Sequence, residues 1–97
     1  MKVYISGKIS TKENYQEDFL KAKEKLERMG HTVLSPLMIN ASLEYEEYMH
    51  IDFSMIDICD AVYFLYDWSD SRGARREKSY AEAKEKLLMF EDYPDSE

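Results

Sequence analysis

The feature of this sequence that most constrains its fold is AVYFLY, a continuous apolar run at residues 61–66. A strand with one face in water alternates apolar and polar residues, whereas an unbroken run is typical of a strand covered on both faces. Such strands belong to parallel sheets that lie between two layers of helices. Three further short runs predict strands of the same sheet: Lys2–Ser6, HTVLSP at 31–36 and LLMF at 87–90.

Segments with helical spacing of apolar residues separate these predicted strands. The first helix follows a cap at Ser10 or Thr11 and ends at Gly30, a residue type that often closes helices. The other two are predicted at residues 44–59 and 73–86. This alternation predicts an α/β fold with three α/β/α layers, flavodoxin-like or Rossmann-like. We expect a parallel sheet of four strands, with five as the alternative.

The length of the chain, 97 residues, fits one domain near the small end of what buries its own core. We assign residues 1–91 to this single domain. Residues 92–97 are polar and are expected to form a C-terminal tail.

Composition excludes several classes of function. The net charge of −7 argues against nucleic acid polymers as partners, because cations supply affinity for phosphates. A single cysteine, Cys59, excludes an internal disulfide, and His50 has no second histidine or cysteine at ligand spacing, so we expect no metal and no cofactor. No apolar stretch is long enough to cross a bilayer, which favours a cytoplasmic protein without membrane partners. Eight tyrosines and six methionines indicate an exposed patch suited to a homo-oligomer, a dimer or larger.

Loops after the strands are where a ligand is expected in such a sheet. The segment SGKIS follows the first strand and DWSDSRG follows the third, and each leads into the start of a helix. Gly7 permits close approach of a backbone to an anion, Lys8 adds a positive charge, and helix N-termini favour anions. Taken alone, SGKIS is equally typical of an ordinary turn.

Two acidic residues fall on helix faces that should be buried. Glu77 lies between Ala74 and Ala81 at helical spacing, on the face expected to contact the sheet. Asp52 lies within the apolar stripe of the second helix. A buried carboxylate must be paired, solvated by a cleft or functional. The alternatives are an acid placed by the helix dipole for Glu77 and an edge position reaching water for Asp52.

A cluster of cations near the start of the third helix runs against the helix dipole. It comprises Arg72, Arg75, Arg76 and Lys78 around Glu77. Cations in this position fit an anionic ligand or an acidic partner surface. Trp68, just before them, is suited either to stacking on a base or to ordinary packing.

Four segments in the same order resemble the nucleoside 2-deoxyribosyltransferase superfamily, and in particular a small, largely uncharacterised branch from bacteria and their phages. These are VYISGKI, GHTVLSPL, YMHIDFSMIDICDAVYFLYDW and SRGARREKSYAEA, which cover nearly all of the chain up to about Phe90. The resemblance implies a pocket lined by Tyr4, Asp52 and Glu77, with Glu77 as the nucleophile that attacks C1′ of a deoxyribose. Asp52 would supply or relay a proton to the leaving base, and Tyr4 would orient Glu77.

The resemblance also implies a phosphate subsite. In the transferases an Asp stands six residues before the nucleophile, whereas Ser71 occupies that position here, as in deoxynucleoside monophosphate N-glycosidases. The residues expected to bind substrate or phosphate are Gly7, Lys8, Ser10, Trp68, Ser71, Arg72 and Gly73.

Two features depart from the superfamily. A neighbouring subunit's C-terminal region often supplies a polar side chain to the site, and Tyr93 and Ser96 are the candidates for that position here. The segment GARRE also replaces the small apolar residues that usually precede the Glu.

Three functions therefore remain open at the level of the sequence. The first is an N-glycosidase or deoxyribosyltransferase-like enzyme acting on a small-molecule deoxynucleoside or its 5′-monophosphate. The second is a nucleotide-binding or sensing module without catalysis, and the third is a protein-interaction domain. Fold alone does not choose between them.

Overall fold

The computed structural model describes residues 1–9 and 14–92. Within these ranges the chain forms four strands and three α-helices. In chain order they are β1 (Lys2–Ser6), α1 (Tyr15–Arg28), β2 (Thr32–Leu34), α2 (Tyr45–Ile58), β3 (Ala61–Phe64), α3 (Arg72–Ala83) and β4 (Leu87–Phe90). Two short 3₁₀ turns, Pro36–Met38 and Trp68–Asp70, lie in the connections that follow β2 and β3.

All strand pairs are parallel, in the order β2-β1-β3-β4. The chain leaves β1 toward β2 on one side and later returns to pair β3 on the other, so strand order reverses between β1 and β3. With right-handed crossovers, this reversal places α1 on one face of the sheet and α2 and α3 on the other. The structure confirms the predicted α/β fold with four strands.

Alternating side chains of the two central strands build a separate core on each face. Val3 and Ile5 of β1 pack with Phe19 and Leu26 of α1. On the opposite face, Tyr4 packs with residues of β3, α2 and α3, which are Val62, Phe64, Ile56, Cys59 and Ala81. Every residue of β3 is buried, as the apolar run at 61–66 predicts.

The ends of α1 and α3 are set by the residues that close them, and the predicted end of α3 was wrong. Gly30 has φ of 92°, and the N–H of His31 donates to the carbonyl of Leu26, as expected for a glycine that closes α1. The third helix was expected to reach residue 86 but ends at Ala83. Glu85 takes the same closing position with φ of 58°, and the Lys86 N–H donates to the Ala81 carbonyl. A non-glycine residue there gives no sequence signal for the end.

Other boundaries shift by a few residues. The second strand is Thr32–Leu34 instead of 31–36, because Ser35 caps the 3₁₀ turn and accepts a hydrogen bond from the Leu37 N–H. The predicted caps of α1, Ser10 and Thr11, lie outside the described residues. The domain boundary after residue 91 stays a prediction, since β4 ends at Phe90 and residues 93–97 are not described. In the described part of the chain, no helix is long and apolar enough to cross a membrane.

Candidate active site

A cavity of about 630 Å³ lies at the carboxyl ends of β1 and β3, where strand order reverses. This is the position at which open α/β sheets bind ligands, and the volume lies in the range of small-molecule sites. Its walls come from the loop after β1, the loop after β2 and the first halves of α2 and α3. The residues that line it include Gly7, Asn40, Tyr45, Tyr48, Met49, Asp52, Ser71, Arg72, Gly73 and Glu77.

Glu77 reaches this cavity from the sheet-facing side of α3. Ala74, Glu77 and Ala81 share that side and are all buried, Glu77 being 4% exposed. Because the two alanines are short, α3 lies close against the sheet and its carboxylate is held at the strand ends instead of reaching water.

Asp52 approaches the same point from α2. Met49, Asp52 and Ile56 form the buried side of that helix, and Asp52 is 5% exposed. Its carboxyl is close enough to Glu77 and to the Tyr4 hydroxyl for both to influence its pKa. Oδ1 of Asp52 is buried and has no hydrogen-bond partner among the described residues. The inward placement expected from spacing is therefore observed for both acids.

Two hydroxyl groups of β1 hold the Glu77 carboxylate. Tyr4 Oη donates to Oε2 at 2.8 Å and Ser6 Oγ donates to Oε1 at 2.6 Å. Both donors are fully buried. Sequence reasoning missed Ser6, although its position two residues after Tyr4 on one strand places both side chains on the same face.

The environment of the two acids disfavours their ionised forms. Burial raises the pKa of Glu77 well above its usual range, and the charge of Asp52 raises that pKa further. Burial also raises the pKa of Asp52, and it raises the pKa of Tyr4 well above its usual range. Two buried carboxyls close together cannot both ionise cheaply, so the pair gives up its second proton at a higher pH than an isolated carboxyl does.

One wall of the cavity carries the groups suited to an anion. Gly7, Ser71, Arg72 and Gly73 line it. A Cβ on Gly7 would lie 2.6 Å from Cδ1 of Leu65, so glycine is required there by close packing. Ser71 Oγ caps α3 by accepting from the Ala74 N–H at 3.1 Å. Lys8 is not among the lining residues, and Ser10 lies outside the described part of the chain.

The cation cluster divides between the cavity and the outer surface. Arg72 lines the cavity and stacks over the Tyr45 ring, 5.0 Å from its centroid. Arg76 instead forms a bidentate pair with Glu46 of α2, at 2.9 and 3.1 Å. Arg75 donates to the Ser69 carbonyl. Of the four cations expected near a phosphate, only Arg72 is on the cavity wall in this structure.

Arg75 and Arg76 belong to a different surface. With Phe53, Arg72, Ser79 and Tyr80 they line an open groove of about 480 Å³ on the outside of α2 and α3. Neither Asp52 nor Glu77 lines this groove, so the groove is separate from the candidate active site.

Trp68 and Cys59 lie apart from the cavity. Trp68 packs against Phe64 and Phe90, with ring centroids 5.5 and 5.9 Å away, which matches its packing alternative and not base stacking. Cys59 is buried, and burial raises the pKa of its thiol to about 11, so it stays a neutral thiol. Within the described residues, no group of three or more His, Cys, Asp or Glu could hold a metal ion.

Another part of the wall, which includes Tyr45 beside Arg72, is aromatic and apolar and comes partly from the loop after β2. Tyr48 Oη donates to the Ala41 carbonyl and accepts from the Leu43 N–H, which fixes this loop against α2. Asn40 from the loop and Tyr45 and Met49 from α2 complete the wall. The sequence shows only a loop of uncertain shape here, because no local pattern specifies a hydrogen bond from a helix back to its preceding loop.

Comparisons with known proteins agree with this architecture. Residues 1–90 match the family model described as "Domain of unknown function (DUF4406)". No curated protein matches the sequence. Among solved structures, a 2-desoxiribosyltransferase from Leishmania mexicana is similar with a TM-score of 0.74 and 20% identity. The likeness covers 92% of this chain and 62% of the Leishmania chain, and at this identity it shows a shared fold.

Proposed function

This chain belongs to the family described as a domain of unknown function (DUF4406), and we propose that it cleaves the N-glycosidic bond of deoxynucleosides or their 5′-monophosphates. The observation that carries the proposal is the buried contact of Asp52 and Glu77 in the cavity at the strand ends. Two carboxyl groups with raised pKa values in one cleft are typical of acid–base and nucleophilic chemistry at glycosidic bonds.

In the proposed first step, a Glu77 oxygen forms a bond to C1′ while the bond from C1′ to the base nitrogen breaks. The electron pair leaves with the base, and the base takes the proton that the carboxyl pair retains, through Asp52. A water molecule then attacks C1′ and returns a proton to Asp52, which releases the sugar and regenerates Glu77. A second base in place of water would give transfer instead of hydrolysis.

Support for a nucleotide ligand comes from the residues that line the cavity. Arg72 and the capped start of α3 form a cationic part suited to a 5′-phosphate. Tyr45, Tyr48 and Met49 form an aromatic and apolar part suited to a flat base. The similar structure is named a 2-desoxiribosyltransferase, which fits a ligand that contains a deoxyribose.

Glu77→Gln tests the proposal. Deoxynucleosides and their 5′-monophosphates are incubated with the protein, and free base is quantified by chromatography. The wild type is expected to release base, and Glu77→Gln to release it at least roughly 10³-fold more slowly, because the nucleophile is lost. Asp52→Asn is expected to slow release by roughly 10²–10⁴-fold.

Glu82→Gln is the matched control, since Glu82 is an exposed acid of the same helix paired with Lys78. It should release base at the wild-type rate. Absence of base release by the wild type across the whole panel would contradict the enzymatic proposal. If the same compounds still bind, as shown by calorimetry, the nucleotide-binding alternative takes its place.

We further propose a homo-oligomer whose interface includes the mouth of the cavity. Leu37, Met38 and Tyr45 are large apolar residues exposed at or beside this mouth. Light scattering coupled to size-exclusion chromatography measures the mass directly. A monomer of 11.5 kDa at all concentrations would contradict this proposal.

A further inference from the structure

The hydroxyl protons around the acid pair are unequally distributed between the two acids. Glu77 receives one from Tyr4 and one from Ser6, each to a different carboxylate oxygen. Asp52 has a buried oxygen without any partner in the described part of the chain. Hydrogen bonds donated to a carboxylate stabilise its charged form, so the geometry favours ionisation of Glu77 over that of Asp52.

Tyr4 makes this difference sharper, because its hydroxyl carries one proton and faces both acids. That proton is directed at Oε2 of Glu77 at 2.8 Å. Toward Asp52, the Tyr4 oxygen can therefore only accept a hydrogen bond. An acceptor facing a buried carboxyl is satisfied when that carboxyl itself holds a proton.

We propose that Ser6 is a positioning residue that, together with Tyr4, keeps Glu77 ionised and leaves the single proton of the acid pair on Asp52. Burial and the charge of Asp52 act in the opposite direction, since both raise the pKa of Glu77. Against them stand the two hydrogen bonds donated to Glu77, which are of the strong kind that charged groups accept, and Oδ1 of Asp52, which has no hydrogen-bond partner among the described residues.

The catalytic meaning of this assignment rests on the proposed function. A nucleophile must be ionised and a proton donor must be protonated before the substrate reacts. The hydroxyl of Ser6 then acts through Glu77 and touches no substrate atom. Without it, part of the pair's proton population would move to Glu77, which would lose both the nucleophile and the donor in the same molecule.

Other titratable or charged groups also face the pair. They are Tyr4 from β1, Tyr15 from α1, Tyr45 and Tyr48 from α2, and Arg72 at the start of α3. Burial raises the pKa of Tyr4 well above its usual range, so it stays a neutral donor. A titration of the acid pair therefore measures how its proton is distributed between Asp52 and Glu77.

Carboxyl ¹³C NMR of protein labelled at Asp Cγ and Glu Cδ tests the assignment without any ligand. Asp52→Asn and Glu77→Gln identify the two resonances. Near pH 7 the wild type is expected to show an ionised Glu77 and a protonated Asp52. A protonated Glu77 beside an ionised Asp52 would overturn the proposal, and this wild-type measurement decides even if a variant fails to fold.

Ser6→Ala tests the role of the hydroxyl. It is expected to raise the titration midpoint of Glu77 by about one to two pH units, the value of one hydrogen bond to a charged group. Ser54→Ala is the matched control, because it removes a hydroxyl that donates its hydrogen bond to the His50 carbonyl. A Glu77 midpoint unmoved in Ser6→Ala would also overturn the proposal.

The outcome is separable from that of the proposed function. If the wild type releases no base while Asp52 holds the proton, the enzymatic proposal fails and the proton assignment stands. If base is released, the acidic limb of the pH–rate profile should move upward in Ser6→Ala, because that limb reports ionisation of the nucleophile. A merely structural role of Ser6 would lower the rate without moving this limb.

Discussion

At the scale of single residues, the candidate site is built on two buried carboxyl groups, whose burial costs free energy. Asp52 and Glu77 are 5% and 4% exposed, and burial raises the pKa of each. A carboxyl with a raised pKa in the folded state binds a proton that the unfolded chain has already released. Its burial therefore destabilises the folded state increasingly as the pH rises. The acid pair thus opposes folding at neutral pH, as expected of groups retained for chemistry.

We expect Glu77→Gln to stabilise the protein in a pH-dependent manner. Below about pH 4, where a carboxyl is protonated in both folded and unfolded chains, the variant should match the wild type. As the pH rises above that point, the wild type should lose stability relative to the variant, because the folded acid pair holds a proton that the unfolded chain releases. Thermal unfolding measured across this range checks the difference.

Glu82→Gln provides the reference for this measurement, since it removes an exposed acid from the same helix. Its difference from the wild type should stay nearly constant with pH. If the stability advantage of Glu77→Gln over the wild type shrinks as the pH rises, the folded state lowers the pKa of Glu77 instead of raising it.

At the scale of elements, the start of α3 both contacts α2 and lines the cavity. Cations here oppose the helix dipole, yet Arg76 pairs with Glu46 and lies over the rings of Tyr45 and Phe53. These contacts tie α3 to α2, and exposed pairs of this kind contribute about 0–1 kcal/mol. The position of Arg76 is therefore explained by a contact between helices. Arg72 alone remains as a cation on the cavity wall.

Ser71 caps α3 and also lines the cavity, and two substitutions separate its cap from the binding role proposed for it. Ser71→Ala removes the cap of α3 and should lower the free energy of unfolding by about 1 kcal/mol. Ser71→Asp keeps a capping oxygen and should retain stability. Its added charge faces the cavity, so it should weaken binding of deoxynucleoside monophosphates relative to unphosphorylated nucleosides.

Urea unfolding and calorimetric binding check both statements. Ser54→Ala serves as the control for loss of a helix-associated hydroxyl outside the cavity. If Ser71→Asp binds monophosphates and nucleosides in the wild-type ratio, the phosphate does not lie near Ser71.

At the scale of the whole molecule, the sheet separates two cores that support the site from both faces. The α1 core contains Val3 and Ile5, whose neighbours on β1, Tyr4 and Ser6, hold Glu77 on the other face. A domain of this size has a net stability of about 5–15 kcal/mol. We therefore expect the stability of the domain that holds the acid pair to depend on packing in the α1 core.

Phe19→Ala and Leu20→Ala test this dependence as a matched pair of adjacent α1 residues. Phe19 is 2% exposed in the α1 core, whereas Leu20 is 52% exposed. Phe19→Ala should lower the free energy of unfolding by about 3–5 kcal/mol, because it leaves a cavity in the core. Leu20→Ala should change it by less than about 0.5 kcal/mol. Urea denaturation measures both, and equal effects would contradict the assignment of this core.

How much of this protein the sequence determines depends on the range of the interaction. The buried run at 61–66, the helical spacings and Gly30 predict the order of elements, because each is a local pattern within one element. The same local spacing puts Asp52 and Glu77 on buried faces. Where the signal was absent, as at Glu85, the predicted end of the helix was wrong.

Only the tertiary structure decides which of these groups meet. Ser6 and Tyr4 contact Glu77 across 71 and 73 residues of chain, and these contacts exist because strand order places β1 beside β3, below α3. The same packing directs Arg76 to Glu46 and Trp68 to Phe64 and Phe90. A periodic sequence specifies the face on which a side chain lies, whereas its partner across that face depends on how whole elements pack. The fold class was therefore predictable from local patterns, and the hydrogen bonds that hold the acid pair were not.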